Sequence, residues 1–326
     1  MKYKEVLLIA IFFFLFSFLY SDNSGKFFEV RDFEPSLFYE TSIISDDAKL
    51  IYYKDGCIFY KDIFKKNAKW KKFQNFNPED SFIRIEKQGK VNLIPVTSVS
   101  NLYFFKNKPL YAFTTGLGTT PNTTVMVVDK VKNVVVFTPV LKEKEEKIHK
   151  FQIFMERVWF NPVLSEDEKY LVCDGYNGNG YRVSALFDIQ QKCIIKEFND
   201  CAYPFIRNNK VYYLKDDKKE GGVFLTVYDM QNNIEKKTEK ITDRIISLKI
   251  INNTGLIITD KNIYEFDANS TEKCKKVFDF NDFFKQYQSF SIEQAYASIA
   301  NGTPYLFIVF KGYNNKYEWK LYCYKI

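Results

Sequence analysis

The chain has 326 residues, 46% of them hydrophobic and 27% charged, and 47 Lys+Arg against 40 Asp+Glu give a net charge of +7. That balance is ordinary for a globular protein and excludes a disordered chain, a collagen and a multi-span membrane protein; a core of this size needs no covalent staples. Lys, Asn, Ile, Phe and Tyr are abundant as in an AT-rich coding sequence, and the six Arg (31, 84, 157, 182, 207, 244) are dispersed rather than gathered into a phosphate-reading surface, so no nucleic-acid partner is expected.

Residues 1–24 carry the strongest local signal. Lys2 and Lys4 precede the apolar run Val6–Tyr20, and Ser21-Asp22-Asn23-Ser24-Gly25 forms a small polar exit. This is the three-part pattern of a secretory signal peptide, with an N-terminal helix. Fifteen apolar residues fall short of the ~20 of a spanning helix, although Leu19 and Ser21 make a poor cleavage site. The expected division is 1–24, signal peptide or N-terminal membrane anchor, and 25–326, one folded domain. Export to a periplasmic, cell-surface or secreted location follows, with membrane contact only through an uncleaved segment 6–20.

From residue 25 onward the apolar runs are short, rich in Val, Ile, Phe and Tyr, and punctuated by Gly, Asn and Asp, which are strand signals. Six hairpins are predicted in chain order. Leu50–Tyr53 pairs with Cys57–Lys61, and Pro109–Thr114 with Thr123–Asp129. Tyr170–Cys173 pairs with Tyr181–Asp188, and Val211–Leu214 with Val223–Tyr228. Leu256–Thr259 pairs with Ile263–Phe266, and Tyr305–Phe310 with Tyr317–Tyr324. The charged stretch Lys142–Phe154 is the one helical candidate, or else a solvated loop.

Five second strands end on an aspartate: Asp62, Asp129, Asp188, Asp229 and Asp267. An Asp there can accept from the backbone two residues on and start the turn. The intervals between them are 67, 59, 41 and 38 residues, so the later copies approach the ~40–45 residues of a four-stranded propeller blade. The longer early intervals place insertions at Asn77–Pro95 and Leu141–Met155. The segments Ile44–Ile63 and Leu164–Ile189, with Ser45-Asp46-Asp47 and Ser165-Glu166-Asp167 at the turn into a strand, resemble the repeat of TolB-like and WD-type β-propellers. The resemblance implies a fold and no activity. The expected architecture is therefore all-β, a single β-propeller with six blades (seven as the alternative, a sandwich as the competing fold). Gly25–Phe33 is expected to supply the missing strand of the last blade and close the ring.

Candidate chemistry is narrowed by inventory. His149 is the only histidine and lies in the charged insertion, which leaves no room for a histidine-rich metal centre. G-x-S-x-G, P-loop and H-E-x-x-H patterns do not occur. Neither cofactor nor metal is expected. The six cysteines form no C-x-x-C pair, and Cys193 and Cys201 are the one candidate bridge. In the turn Asp174–Gly180, the oxygens of Asp174, Asn177 and Asn179 suit a hard cation, but the glycines read more simply as a long hairpin tip. Loops joining each blade's second and third strands gather on one face, where binding usually resides. Asp55, Asp174, Tyr176, Asn177, Asp216, Asp217, Asp260 and Tyr313 are the candidate binding residues. The expected function is an exported, non-catalytic module for a protein or cell-envelope partner; the alternative is a polysaccharide hydrolase or lyase using paired carboxylates.

Overall fold

The computed structural model of the chain describes residues 27–30, 43–44, 48–54, 57–65, 67–72, 82–87, 90–95, 100–105, 107–117, 120–129, 131, 134–137, 158–177, 180–270 and 273–326. The leader, the insertion Leu141–Met155 with His149, and the helical candidate Lys142–Phe154 lie outside the described residues, as does Asp55.

Each predicted hairpin forms, one or more residues longer than its apolar run. The first sheet contains β2 (Ile43–Ile44), β3 (Lys49–Lys54), β4 (Cys57–Asp62) and β5 (Lys71–Lys72). The third is β12 (Val158–Leu164), β13 (Tyr170–Tyr176), β14 (Arg182–Asp188) and β15 (Cys193–Asn199). The fourth is β16 (Cys201–Arg207), β17 (Lys210–Asp217), β18 (Gly222–Asp229) and β19 (Ile234–Ile241). The fifth is β20 (Ile245–Ile251), β21 (Thr254–Thr259), β22 (Asn262–Asp267) and β23 (Lys275–Asp279), followed by the single turn α1 (Phe280–Phe283). The last joins β24 (Ser289–Ala300), β25 (Thr303–Tyr313) and β26 (Tyr317–Lys325) to β1 (Phe27–Glu29), in the order β1-β26-β25-β24. These are five four-stranded antiparallel blades.

The second sheet departs from the expectation of six like blades. It has six strands, in the order β7-β6-β11-β10-β9-β8: β6 (Phe82–Lys87), β7 (Lys90–Pro95), β8 (Ser100–Phe104), β9 (Leu110–Leu117), β10 (Thr120–Asp129) and β11 (Val134–Phe137). The insertion at Asn77–Pro95 folds as the hairpin β6–β7, and β6 adds in parallel to the outer strand β11 at Val134↔Arg84. An outer edge with unpaired backbone groups accepts such a strand readily.

The sheets stand radially about a channel. Each sheet's innermost strand lies beside the next: β2 beside β8, β8 beside β12, then β16, β20 and β24, with β24 returning to β2. The Ala48 N–H donates to Ser298 Oγ on β24 at 2.5 Å, so the first and last sheets also meet through a buried hydrogen bond.

Strict alternation of buried and exposed positions is absent from the central strands, because both faces of each blade are covered. On β17, Val211 and Tyr213 pack toward the third sheet while Tyr212 and Leu214 pack toward the fifth. On β25, Leu306, Ile308 and Phe310 face the fifth sheet and Phe307 and Val309 the first. A two-layer sandwich buries only one face of each sheet, so this pattern excludes it. The thickest core lies between the fifth and last sheets, where Phe27 stacks on Tyr322 at 5.2 Å and Phe284 on Phe310 at 4.0 Å.

The proposed Cys193–Cys201 bridge does not form; both thiols are free. The cysteines begin the successive strands β15 and β16, and the length of β15 separates them by about 20 Å at ~3.3 Å per residue. Cys201 instead donates its thiol to Asn199 O at 3.0 Å.

Candidate binding face

In an antiparallel blade the turn joining the second and third strands lies on the same face as the connection to the next blade. That face is best defined across the third and fourth blades. Asp174, the fifth residue of β13, does not stand in the loop: it is fully buried. Its carboxylate accepts from Arg182 Nη2 at 2.8 Å and Nε at 3.4 Å, and from the Tyr203 N–H at 3.2 Å. Tyr203 has a left-handed backbone (φ 54°) in a bulge of β16, and Arg182 lies over its ring at 4.5 Å. Asp174 thus clamps one blade to the next. Burial pushes its carboxyl above the ordinary value against the opposing pull of Arg182. Against burial, Asp174 in turn holds the guanidinium well above its ordinary value.

Around this clamp the surface is aromatic and cationic. Tyr176, at the end of β13, is 40% exposed and packs on Phe160 at 5.7 Å between ring centres. Tyr181, at the hairpin tip, is 58% exposed. Lys218, from the neighbouring blade's tip, lies over the Tyr181 ring at 5.8 Å and 3.5 Å from Asp200 in the connection between blades. Asn177 sits at the turn, where its Oδ1 accepts the Tyr181 N–H at 3.0 Å; Gly180 completes the tip with φ 76°. Asp174 and Asn177 therefore serve the clamp and the turn, and among the described residues no cluster of three His, Cys, Asp or Glu could hold a metal ion.

The remaining predicted residues are spread around the ring. Asp216 is exposed, and its N–H donates to Asp200 O at 2.9 Å, placing it beside Lys218. Asp217 closes its own hairpin: it accepts the Lys219 and Glu220 N–H groups and pairs with Lys237 at 2.5 Å. The Lys237 hydrogen bond, foremost, brings the Asp217 carboxyl down to about 2. Asp260 lies on the fifth blade, half-buried, its N–H bound to Arg244 O at 2.9 Å. Tyr313 packs against Tyr317 at 5.0 Å on the last blade, and Lys311 covers Tyr317 at 4.6 Å.

Tyr176, Asn177 and Asp216 therefore belong to one patch with Asp174 beneath it, whereas Asp217, Asp260 and Tyr313 belong to other blades. Sequence reasoning missed Arg182, Tyr203, Tyr181, Lys218 and Asp243. Tyr181 had a usable signal, an aromatic at a glycine-rich tip where nothing can bury it. Asp243 had none: it accepts from Asn262 Nδ2 at 2.8 Å and Tyr264 OH at 2.9 Å across 19 and 21 residues. Against desolvation, these hydrogen bonds hold its carboxyl below the ordinary range.

Radial blades, innermost strands around a channel, and chain termini joined in one sheet define a β-propeller. No family model matches the chain, and no curated protein matches its sequence. Among solved structures, luciferin-regenerating enzyme is 8% identical, covering 87% of this chain and 90% of that one, with a TM-score of 0.48. The WD40 domain of Toxoplasma gondii coronin is 9% identical over 87% and 80%, with a TM-score of 0.44. Saccharomyces cerevisiae Sqt1 is 9% identical over 88% and 96%, with a TM-score of 0.43. WD40-like propellers are thus among its structural neighbours, at low identity.

Proposed function

We propose that this chain is an exported, non-catalytic β-propeller that binds a protein or cell-envelope partner through the face bearing Tyr176, Tyr181 and Lys218. The observation that carries the reading is that two large aromatics stand exposed at one hairpin, beside cations from two blades. The backbone beneath them is fixed by the buried Asp174–Arg182 pair. Tyr and Arg on rigid supports lose little entropy on contact and dominate interface energies. Export rests on the signal pattern of residues 1–24 alone.

The carboxylate hydrolase has less support. It needs two free carboxylates on one wall, yet Asp174, Asp217 and Asp243 are each occupied by their own neighbours.

The test is capture from envelope extracts by wild type and by the double variant Tyr176→Ala/Tyr181→Ala. A discrete partner retained by wild type and reduced at least about tenfold in the variant, with thermal stability unchanged, supports the reading. Equal capture by both proteins contradicts it.

A further inference from the structure

The innermost strands that line the channel are nearly devoid of charge. Among the described residues, β8 and β12 carry no charged side chain, while β16, β20 and β24 carry one each: Arg207, Lys249 and Glu293. Two of these are answered. Arg207, at the end of β16, pairs with Glu166 at 2.8 Å, and the exposed Glu293 accepts from Ser291 Oγ at 2.5 Å. Lys249, in the middle of β20, has no hydrogen bond or ion pair to its ammonium group among the described residues.

The direction of its side chain follows from its electrostatics. Lys249 lies opposite Leu256 in the fifth blade. The one charge that acts on it belongs to Asp174, two blades away in the third. Only the channel separates those two positions, so the amine reaches into it. Asp174 does not satisfy it, being already bound to Arg182 and Tyr203. The surroundings are aromatic: Tyr296 on β24 and Tyr103 on β8 act on each other electrostatically, and Tyr203 donates its hydroxyl to Ile245 O at 3.4 Å. Burial pulls the Lys249 amine down to about 8, which still leaves it protonated at neutral pH. A cation held this way, away from water and without a counter-charge, is strongly disfavoured unless an anion joins it.

We propose that the central channel binds a small oxyanion, a carboxylate or phosphate group, on Lys249 Nζ between the aromatic side chains of the inner strands. The site is separate from the Tyr176–Tyr181 rim and does not depend on the partner proposed there. Phosphate and carboxylate present the same chemistry to an ammonium group, namely negative oxygens that accept its hydrogen bonds.

The probes are sodium phosphate and sodium acetate, each compared with sodium chloride at equal ionic strength. Lysine acylation by a neutral reagent is read by mass spectrometry near pH 8, with Lys218 as the surface reference. The expected result is that one or both probes slow acylation of Lys249 by about tenfold, equivalent to one unit of pKa, and leave Lys218 unchanged. A rise in melting temperature in the same probe should be present in wild type and lost in Lys249→Met. Unchanged acylation of Lys249 in both probes overturns the proposal, and so does a temperature rise that persists in the variant. The acylation arm uses the wild-type chain, so it decides the matter even if the variant does not fold.

Discussion

A strand-ending aspartate does the same work in five copies of the repeat. The carboxylate of Asp62 accepts the N–H of Phe64 at 3.0 Å, Asp129 that of Val131 at 2.9 Å, and Asp267 that of Asn269 at 2.9 Å. Asp188 takes Gln191 at 2.7 Å, and Asp229 takes both Gln231 and Asn232. Replacing Asp188 with Ala removes one such bond and should cost about 1 kcal/mol in chemical denaturation. This role was legible because donor and acceptor lie within three residues. Asp174 was not, since its partners Arg182 and Tyr203 lie 8 and 29 residues away and only the packed blades bring them together. Asp174→Asn leaves Arg182 without its counter-charge and should cost about 2 kcal/mol. That is below the usual loss for a broken buried pair, because the Arg182 side chain is one-third exposed. Asp217, Asp229, Asp243 and Asp279 are all held below their ordinary values in the folded chain. The unfolded chain therefore takes up protons first on acidification. Their stabilising contribution is complete above the unfolded values near pH 4 and is lost as pH falls toward about 2, the folded value of Asp217. Thermal melts from pH 7 downward should be level until about pH 5 and decline below about pH 4; a melting temperature that rises in that acid range contradicts the assignment.

At the scale of the element, the hairpins were readable because their apolar runs are continuous. A run such as Leu256-Ile257-Ile258 needs both faces covered: Leu256 and Ile258 pack toward the last blade and Ile257 toward the fourth. The close fit also depends on glycine. A β-carbon on Gly255 would come within 2.1 Å of the ring of Phe266, its partner across β21 and β22. Gly255→Ala should therefore destabilise the fold by about 2 kcal/mol in denaturant titration, as overpacked cores do. The Ser165-Glu166-Asp167 turn was equally legible. Ser165 Oγ donates to Asp167 Oδ1 at 2.7 Å and accepts the Tyr170 N–H at 2.9 Å, starting β13. The hairpin β6–β7 was visible only as an interval too long for one blade. Its attachment is a parallel contact between Arg84 and Val134, fixed by which outer edge was open and not by any local pattern. The binding patch was half legible for the same reason: Tyr176 and Asn177 sit on a visible hairpin, but Lys218 reaches Tyr181 from the next blade.

At the scale of the molecule, stability comes from closing the ring. The hydrophobic clusters lie between successive blades, so an open end would leave a sheet face in water. The chain termini meet there: Phe27 pairs with Tyr324, Phe28 with Cys323 and Glu29 with Tyr322. Glu29 also meets Lys320 at 3.1 Å. Phe27→Ala removes a buried ring packed against Phe278 at 4.5 Å and should cost about 3 kcal/mol. The register permits a more direct test, because residues facing each other across β1 and β26 stand within disulfide reach. In Phe28→Cys, mild oxidation should link position 28 to Cys323, identified by peptide mapping, and should leave the melting temperature at or above that of the unlinked protein. If both thiols stay free under conditions that oxidise an exposed control pair, or position 28 links to a cysteine outside β26, the two ends of the chain do not share a blade.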